Sequence, residues 1–430
     1  MFWDKKIETI SRSGLERLQL KRLKSTLAGI NKNVPFYKDK LKKLKIKPDK
    51  IRNLEEIRNL PFTTREDLRA NYPYGLLAVS LDHVVRLHTS SGTTGKPKAI
   101  LFSRKDIEQA ADLIARCLVM TGMKKNEVFQ NMMSYGMFTG GLVMHYGAEK
   151  VGLLVIPAGP GNTDRQISLM QDFKSNAIHI TPSFALYLAD VLEKKGVDPR
   201  KDLFLKRAYM GAEPYTEATR NKIEAIYGID VYNSYGLSEM NGPGVAFECP
   251  EKNGMHIWED NFLVELVDPK TNGPVPEGKE GELVLTTLCR EAMPIIRYRT
   301  GDLTSIIPGK CRCGRTHRRV SRMTGRTDDM FIVRGVNIFP QQIERVLMAI
   351  QGVGRNYQIT LDSLDDMTVK VEIRKELFDG KVDHLVNLQN TITEKLRDEI
   401  MVRPRVELLE PGALPPSEGK AKRVLDNRTL

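Results

Sequence analysis

From residue 151 onward, short apolar runs alternate with stretches in which apolar side chains recur at helical spacing. Runs at 151–156, 177–180, 206–210 and 230–232 predict strands, and 183–195 and 216–227 predict the helices between them, with Ser183 and Thr216 as N-caps. That alternation is the pattern of parallel βαβ units. Ligands in such sheets gather beyond the carboxyl ends of strands, which places Gly211, Ala212 and Glu213, and the stretch 233–239, on the candidate ligand side. After Gly254 the polarity alternates with a period of two. Residues 262–267 and 281–287 therefore read as hairpin strands joined through Asp268-Pro269-Lys270-Thr271-Asn272-Gly273. From Asp328 a hairpin, a helix over 340–350, strands within 357–373, a helix over 382–400 and a strand at 405–409 predict a small α+β unit.

Leu20, Leu23, Leu27 and Ile30 repeat at helical spacing near the start and predict an amphipathic helix with a solvated basic face. That helix changes the meaning of the net charge. The chain of 430 residues carries +12, but residues 1–50 hold 15 Lys/Arg against 5 Asp/Glu, so the excess is local. A nucleic-acid-binding protein built on this segment is thereby disfavoured, although the patch could attract the phosphates of a smaller ligand. An apolar content of 41% over this length supports at least two domains. Met1-Phe2-Trp3-Asp4-Lys5-Lys6 has no apolar h-region and no run of 18 apolar residues occurs, which predicts a soluble cytoplasmic protein away from membranes. Five cysteines argue against a disulfide framework.

The candidate chemistry centres on Ser90-Ser91-Gly92-Thr93-Thr94-Gly95-Lys96-Pro97-Lys98. The glycines let backbone N–H groups close on phosphate oxygens, the hydroxyls donate to them, and a lysine neutralises charge. Two residues separate Gly92 from Gly95, so the loop is not of Walker A type. Four further segments accompany it in order: Tyr235-Gly236-Leu237-Ser238-Glu239, Tyr298-Arg299-Thr300-Gly301-Asp302, Gly325-Arg326-Thr327-Asp328-Asp329 and Gly419-Lys420-Ala421-Lys422-Arg423. A carboxylate attacking the α-phosphate of ATP meets like charge, so a site for that reaction needs cations and aligned donors. Glu239 suits Mg²⁺, Asp302 suits both ribose hydroxyls, and Arg326 suits bidentate contact with ribose or phosphate oxygens.

In order and spacing the five segments resemble the adenylate-forming superfamily of acyl-CoA synthetases, adenylation domains and luciferases. Residues 235–244 (YGLSEMNGPG), 294–302 (PIIRYRTGD) and 325–340 (GRTDDMFIVRGVNIFP) are most similar to the phenylacetate-CoA ligases. The resemblance implies an α/β fold: a large N-terminal domain, 1–327, with mainly parallel sheets flanked by helices plus a β-rich subdomain, and a small mobile α+β C-terminal domain, 328–430. It implies that Ser90 to Lys96, Gly211 to Glu213, Asn233, Ser234, Tyr235, Gly236, Ser238, Asp302 and Arg326 bind nucleotide, and that Glu239 and Lys420 serve adenylation. It also implies that Asp328 is a hinge whose rotation withdraws Lys420 and brings Arg334, Gly335 and Val336 to coenzyme A. Tyr135, Phe138, Gly140, Gly141 and Pro243 match segments that line the acid pocket of that family. The implied activity is ATP-dependent formation of an aryl-acyl adenylate and its transfer to coenzyme A. An enzyme loading a carrier-protein thiol is the alternative, and monomer and homodimer are both left open.

The motif Cys311-Arg312-Cys313-Gly314 offers half of a tetrahedral metal site, and Cys249 with His256 could supply the rest, with His317 as the alternative fourth ligand. Such a zinc site would be structural. Residue spacing leaves zinc and unliganded cysteines both open, while Cys117 and Cys289 read as core thiols.

Overall fold

The computed structural model describes residues 1–89, 97–327, 329–363, 365–377, 382–415 and 421–428. It divides into two compact units, Met1–Gly159 with Tyr232–Arg322, and Pro160–Val231 with Met323–Leu430.

In the first unit, the helix Arg12–Asn33 begins where the Ser11 hydroxyl accepts from the Gly14 N–H. It buries Leu15, Gln19, Leu23, Thr26, Leu27 and Ile30, whereas Leu20 is half-buried and Lys21 and Lys24 face solvent. The burial stripe is therefore one turn longer at its N-terminal end than the expected leucine repeat. A hairpin follows, Val84–Thr89 antiparallel to Ala99–Ser103, whose last register pair is Thr89 with Ala99. The phosphate-loop candidates Ser90 to Lys96 lie between these strands and outside the described residues. A Ser103–Asp106 capping box then starts the helix Arg104–Met120.

The helix Thr139–Val151 joins two parallel strands, Val128–Asn131 and Leu154–Ile156. The apolar run expected as a strand from 151 is shared, because Val151 closes the helix and Gly152, at φ +86°, caps it in the left-handed region. The rest of this unit is a run of antiparallel strands in the order Phe262–Val267, Glu280–Thr287, Tyr298–Ile307, Arg319–Val320, Met255–Ile257, Gly242–Glu248 and Asp230–Leu237. The expected 262–267 hairpin is present in full register.

In the second unit, Ala177–Ile180 pairs in parallel with Arg207–Met210, connected through the helix Pro182–Lys194. Thr181, not the expected Ser183, caps that helix: its hydroxyl accepts from Phe184 N–H, and Pro182 takes the first helical position, where a missing N–H is harmless. Thr216 caps Glu217–Tyr227 as its sequence suggests. The C-terminal part is a four-stranded sheet ordered Arg405–Leu409, Met367–Ile373, Val353–Leu361, Val424–Asp426. The helices Pro340–Met348 and Val382–Ile400 cover it, burying Ile343, Leu347, Ile392 and Leu396 against Ile359, Val369 and Val371. Ahead of it stands the short hairpin Phe331–Val333 and Val336–Ile338. Arg334 (φ +50°) and Gly335 (φ +74°) form its two-residue turn, the backbone that tight right-twisted hairpins require.

Among the described residues, no helix is long and apolar enough to cross a membrane.

Candidate active site

The strand Asp230–Leu237 runs on through the residues expected beyond its end, so Asn233, Ser234, Tyr235 and Gly236 are strand positions rather than a loop. Gly236 has a packing reason: a Cβ there would stand 2.0 Å from the Gly242 carbonyl oxygen. Asn233 N–H donates to Glu248 Oε2 at 2.7 Å. Tyr235 donates its phenolic hydrogen to Asp302 Oδ2 at 2.6 Å, and Asp302, which is buried, also receives order from its own N–H to Thr300 Oγ1 at 3.0 Å. Two of the expected nucleotide-side residues, 67 positions apart, are thus joined by one charge-assisted hydrogen bond.

Strand gives way at Ser238–Met240 to a single 3₁₀ turn, and the Ser238 hydroxyl lies 3.1 Å from Thr139 Oγ1. Glu239 is buried, and its Oε1 accepts from Tyr298 Oη at 2.9 Å and from the Lys98 ammonium. Burial pushes the Glu239 carboxyl up, but the Lys98 charge and the hydrogen bonds from Lys98 and Tyr298 outweigh it and hold the group below its ordinary value. An ionised carboxylate is a hard oxygen ligand of the kind that suits Mg²⁺. Beneath it, the fully buried Arg290 donates to Asn241 Oδ1, and to Leu101 O at 2.8 Å, with its guanidinium 4.0 Å over the Phe102 ring.

The acid-pocket candidates surround the start of the helix Thr139–Val151. Phe138 occupies its N-cap position and is 43% exposed. Gly141 fits because a Cβ would meet Ser134 O at 2.3 Å, and a Cβ on Gly242 would come within 2.9 Å of Thr139 Cβ, which puts Pro243 next to the same helix start. Gly140 has open space at its Cβ position. The Tyr135 hydroxyl accepts from Asn131 Nδ2 at 2.8 Å and lies 3.2 Å from His145 Nδ1. Burial pushes the Tyr135 phenol up to about 12, with the Asn131 bond pulling the other way.

In the second unit Gly211, Ala212 and Glu213 follow the strand Arg207–Met210, with Ala212 in the left-handed region at φ +68°. Glu213 Oε1 accepts from Ser183 N–H at 2.7 Å, and its Oε2 accepts from Ala421 N–H at 3.0 Å. Arg326 Nε lies 3.6 Å from Asp329 Oδ2. Lys420 and Asp328 lie outside the described residues.

Residues 24–289 match the family of AMP-binding enzymes and residues 335–428 match the AMP-binding enzyme C-terminal domain. The phenylacetate-coenzyme A ligase of Thermus thermophilus is 45% identical, covering 100% of both chains. That of Pseudomonas putida is 43% identical over 98% of this chain and 96% of its own. The chain belongs to the phenylacetate-CoA ligase family. Its members are AMP-forming acid–thiol ligases: ATP activates a carboxylic acid as acyl-AMP, and coenzyme A takes the acyl group. Solved structures agree. The 2-hydroxyisobutyryl-CoA ligase in its postadenylation state with 2-HIB-AMP is 28% identical, covers 99% of this chain and 92% of its own, and has a TM-score of 0.94. The same ligase with 2-HIB-AMP and CoA in the thioesterification state has a TM-score of 0.74 at the same identity.

Within this phenylacetate-CoA ligase family member, two residues beside Glu239 escaped the sequence reading as its partners. Lys98 stood in the quoted loop only as a phosphate neutraliser, and Tyr298 only as the first letter of the Asp302 motif. A helical or strand period links residues a few positions apart, whereas these partners are 141 and 59 positions from Glu239.

The cysteine and histidine candidates do converge. Cys249, His256, Cys311 and Cys313 bring their ligand atoms within 4.8 Å of one another, because Arg319 of the strand that follows the two cysteines pairs with His256. His256 directs Nδ1 at the His317 carbonyl, 3.1 Å away, leaving Nε2 toward Cys313 Sγ at 3.2 Å. Three thiols and one imidazole nitrogen with a fixed tautomer fit a tetrahedral zinc ion. His317 is not the fourth ligand: its Nδ1 accepts from Glu259 N–H and its Nε2 donates to Ile7 O, both at 3.0 Å. Cys117 is a core thiol that accepts from Trp258 Nε1 at 3.4 Å, while Cys289 is only half-buried.

Proposed function

We propose that this chain activates phenylacetate or a closely related arylacetate as its adenylate and passes the acyl group to coenzyme A, releasing AMP and pyrophosphate. The observation that carries this reading is the joining of Glu239, Tyr298 and Lys98 on one carboxylate oxygen in a chain 45% identical to a phenylacetate-coenzyme A ligase. In this reading Asp302, oriented by Tyr235, receives the ribose hydroxyls, and Arg326 binds ribose or phosphate. Lys420 stands at the α-phosphate and carboxylate oxygens. Mg²⁺, when bound at Glu239, neutralises phosphate charge during attack. Residues 1–327 and 328–430 act as the two functional domains, with the hinge at Asp328. The turn at Arg334, Gly335 and Val336 approaches the coenzyme A arm in the second half-reaction. The protein works in the cytoplasm, and zinc at Cys249, His256, Cys311 and Cys313 is structural because four protein ligands leave no open position.

Tyr135 and Phe138 give the acid pocket two aromatic faces, which favours a flat ring over a short alkyl chain. The test is a panel of phenylacetate, hydroxyphenylacetate, benzoate, indole acetate and butyrate, scored by kcat/KM for AMP release with coenzyme A. The reading predicts arylacetates at the top. Butyrate at the top would overturn it, and turnover only with an acyl carrier protein would favour the carrier-loading alternative.

A further inference from the structure

We propose that zinc at Cys249, His256, Cys311 and Cys313 fastens the first ten residues of the chain to the sheet, so that metal and N-terminal segment are held or lost together. This rests on the reading of the cluster as a zinc site. The segment from Cys311 to Arg318 has no regular secondary structure, only a turn closed by Gly314 N–H on Cys311 O at 3.1 Å. No strand ladder sets the path of these residues; the ligands Cys311 and Cys313 hold one end, while His317 and Arg318, bonded to Glu259 and Ile257, lead into the strand Arg319–Val320 at the other. A bound metal would fix the first of these anchors.

The three residues just beyond Cys313 and Gly314 hold the start of the chain. Arg315 is buried, and its Nε donates to Glu8 Oε2 at 2.7 Å while its guanidinium lies 4.6 Å over the Phe2 ring. Thr316 donates its N–H to Glu8 O at 3.1 Å and its hydroxyl to Ile10 O at 2.6 Å. His317 Nε2 donates to Ile7 O at 3.0 Å. Glu8, fully buried, relays the hold inward, accepting the Trp3 and Asp4 N–H groups on Oε1 at 2.8 Å each. The helix Lys5–Glu8 has a single turn and little intrinsic stability, so these bonds rather than helix propensity keep it in place. If the cysteines lose their metal, the turn holding Arg315 loses its anchor, and a buried Glu8 without its arginine is better solvated by leaving the sheet.

The experiment combines metal analysis with hydrogen–deuterium exchange on the full chain, kept in reductant. Wild-type protein should contain about one zinc per chain, and Co²⁺ exchanged into it should show the d–d absorption of a tetrahedral thiolate site. Removing zinc with a chelator should raise exchange in the peptide covering residues 2–10 at least tenfold, and re-adding zinc should reverse this. Arg315→Met should release the same peptide while zinc stays bound, which separates clamp from metal. Zinc found in the wild type, with exchange unchanged after chelation removes it, overturns the coupling and leaves the metal site standing. A chain that binds neither zinc nor Co²⁺ overturns the site and the coupling with it. Cys311→Ser provides a second route to the metal-free state, and chelation of the wild type covers the case in which that variant does not fold.

Discussion

Lys98 and Glu239, 141 residues apart, form an ion pair in which the lysine side chain is 10% and the glutamate side chain 5% exposed. A buried carboxylate next to a close ammonium is held ionised and aimed. Lys98→Met should therefore strand a buried charge and lower stability by about 3–5 kcal/mol at neutral pH, read as thermal unfolding.

The pH dependence of that loss follows from the same pair. In the wild type the Glu239 carboxyl lies below its ordinary value of 4.5, so its contribution to stability is present above that value and fades as pH falls through the lower folded-state value. Without Lys98, burial dominates and the carboxyl rises. The stability gap between Lys98→Met and wild type should then narrow as pH drops from 7 toward 4, measured by urea unfolding. A gap that widens toward acid would mean that Glu239 is not the group relieved by protonation.

In the proposed site Tyr235 and Asp302 stand on the nucleotide side. Removing the carboxylate in Asp302→Ala should weaken ATP binding by about 1.5–3 kcal/mol, the worth of hydrogen bonds to a charged group, with a smaller loss in Tyr235→Phe, where the carboxylate stays but is less well oriented. Calorimetric titration of ATP into both variants checks the order. Equal and negligible losses would move the ribose elsewhere.

Much of this architecture was legible because its signals are local. The 177–180, 262–267, 382–400 and 405–409 elements begin and end where apolar period and turn residues say they should. The misses share a cause. Val151 looks like strand because it is apolar and β-branched, yet Gly152 at φ +86° ends a helix there. Thr181 beats Ser183 as the cap because Pro182 already fits the first helical position. In the site, the motif letters at Tyr235, Glu239 and Asp302 were readable, but their joining through Tyr298 and Lys98 depends on strand register across more than fifty residues. The metal cluster shows the same limit. Spacing left His317 open as the alternative to His256, and the two backbone bonds on the His317 ring remove it.

The acid pocket makes a ratio prediction. Phe138→Ala should lower kcat/KM for phenylacetate by about 1–3 kcal/mol, the value of a lost apolar contact, and change a four-carbon acid much less. Tyr135→Ala should act similarly and also release Asn131 and His145 from its hydroxyl. The ratio of the two substrates cancels general damage to the fold. If neither variant changes it, the ring binds elsewhere.

The role proposed for Lys420 separates the two half-reactions. Lys420→Ala should slow acyl-adenylate formation by about 10²–10³-fold, the scale for losing one aligned charge in a transition state, and leave thioester formation from supplied phenylacetyl-adenylate near wild type. Rapid-quench measurement of each half-reaction decides it, and equal losses in both would remove Lys420 from its adenylation role.

The central claim is that one chain makes an adenylate and lets coenzyme A discharge it. Product analysis with phenylacetate, ATP and Mg²⁺ tests it most directly, run once without and once with coenzyme A. Without coenzyme A, pyrophosphate and enzyme-bound phenylacetyl-AMP should form to about the concentration of active sites and then stall. With it, AMP and phenylacetyl-CoA should accumulate together in equal amounts over many turnovers. Release of ADP and phosphate, or an adenylate that coenzyme A leaves untouched, would contradict the account.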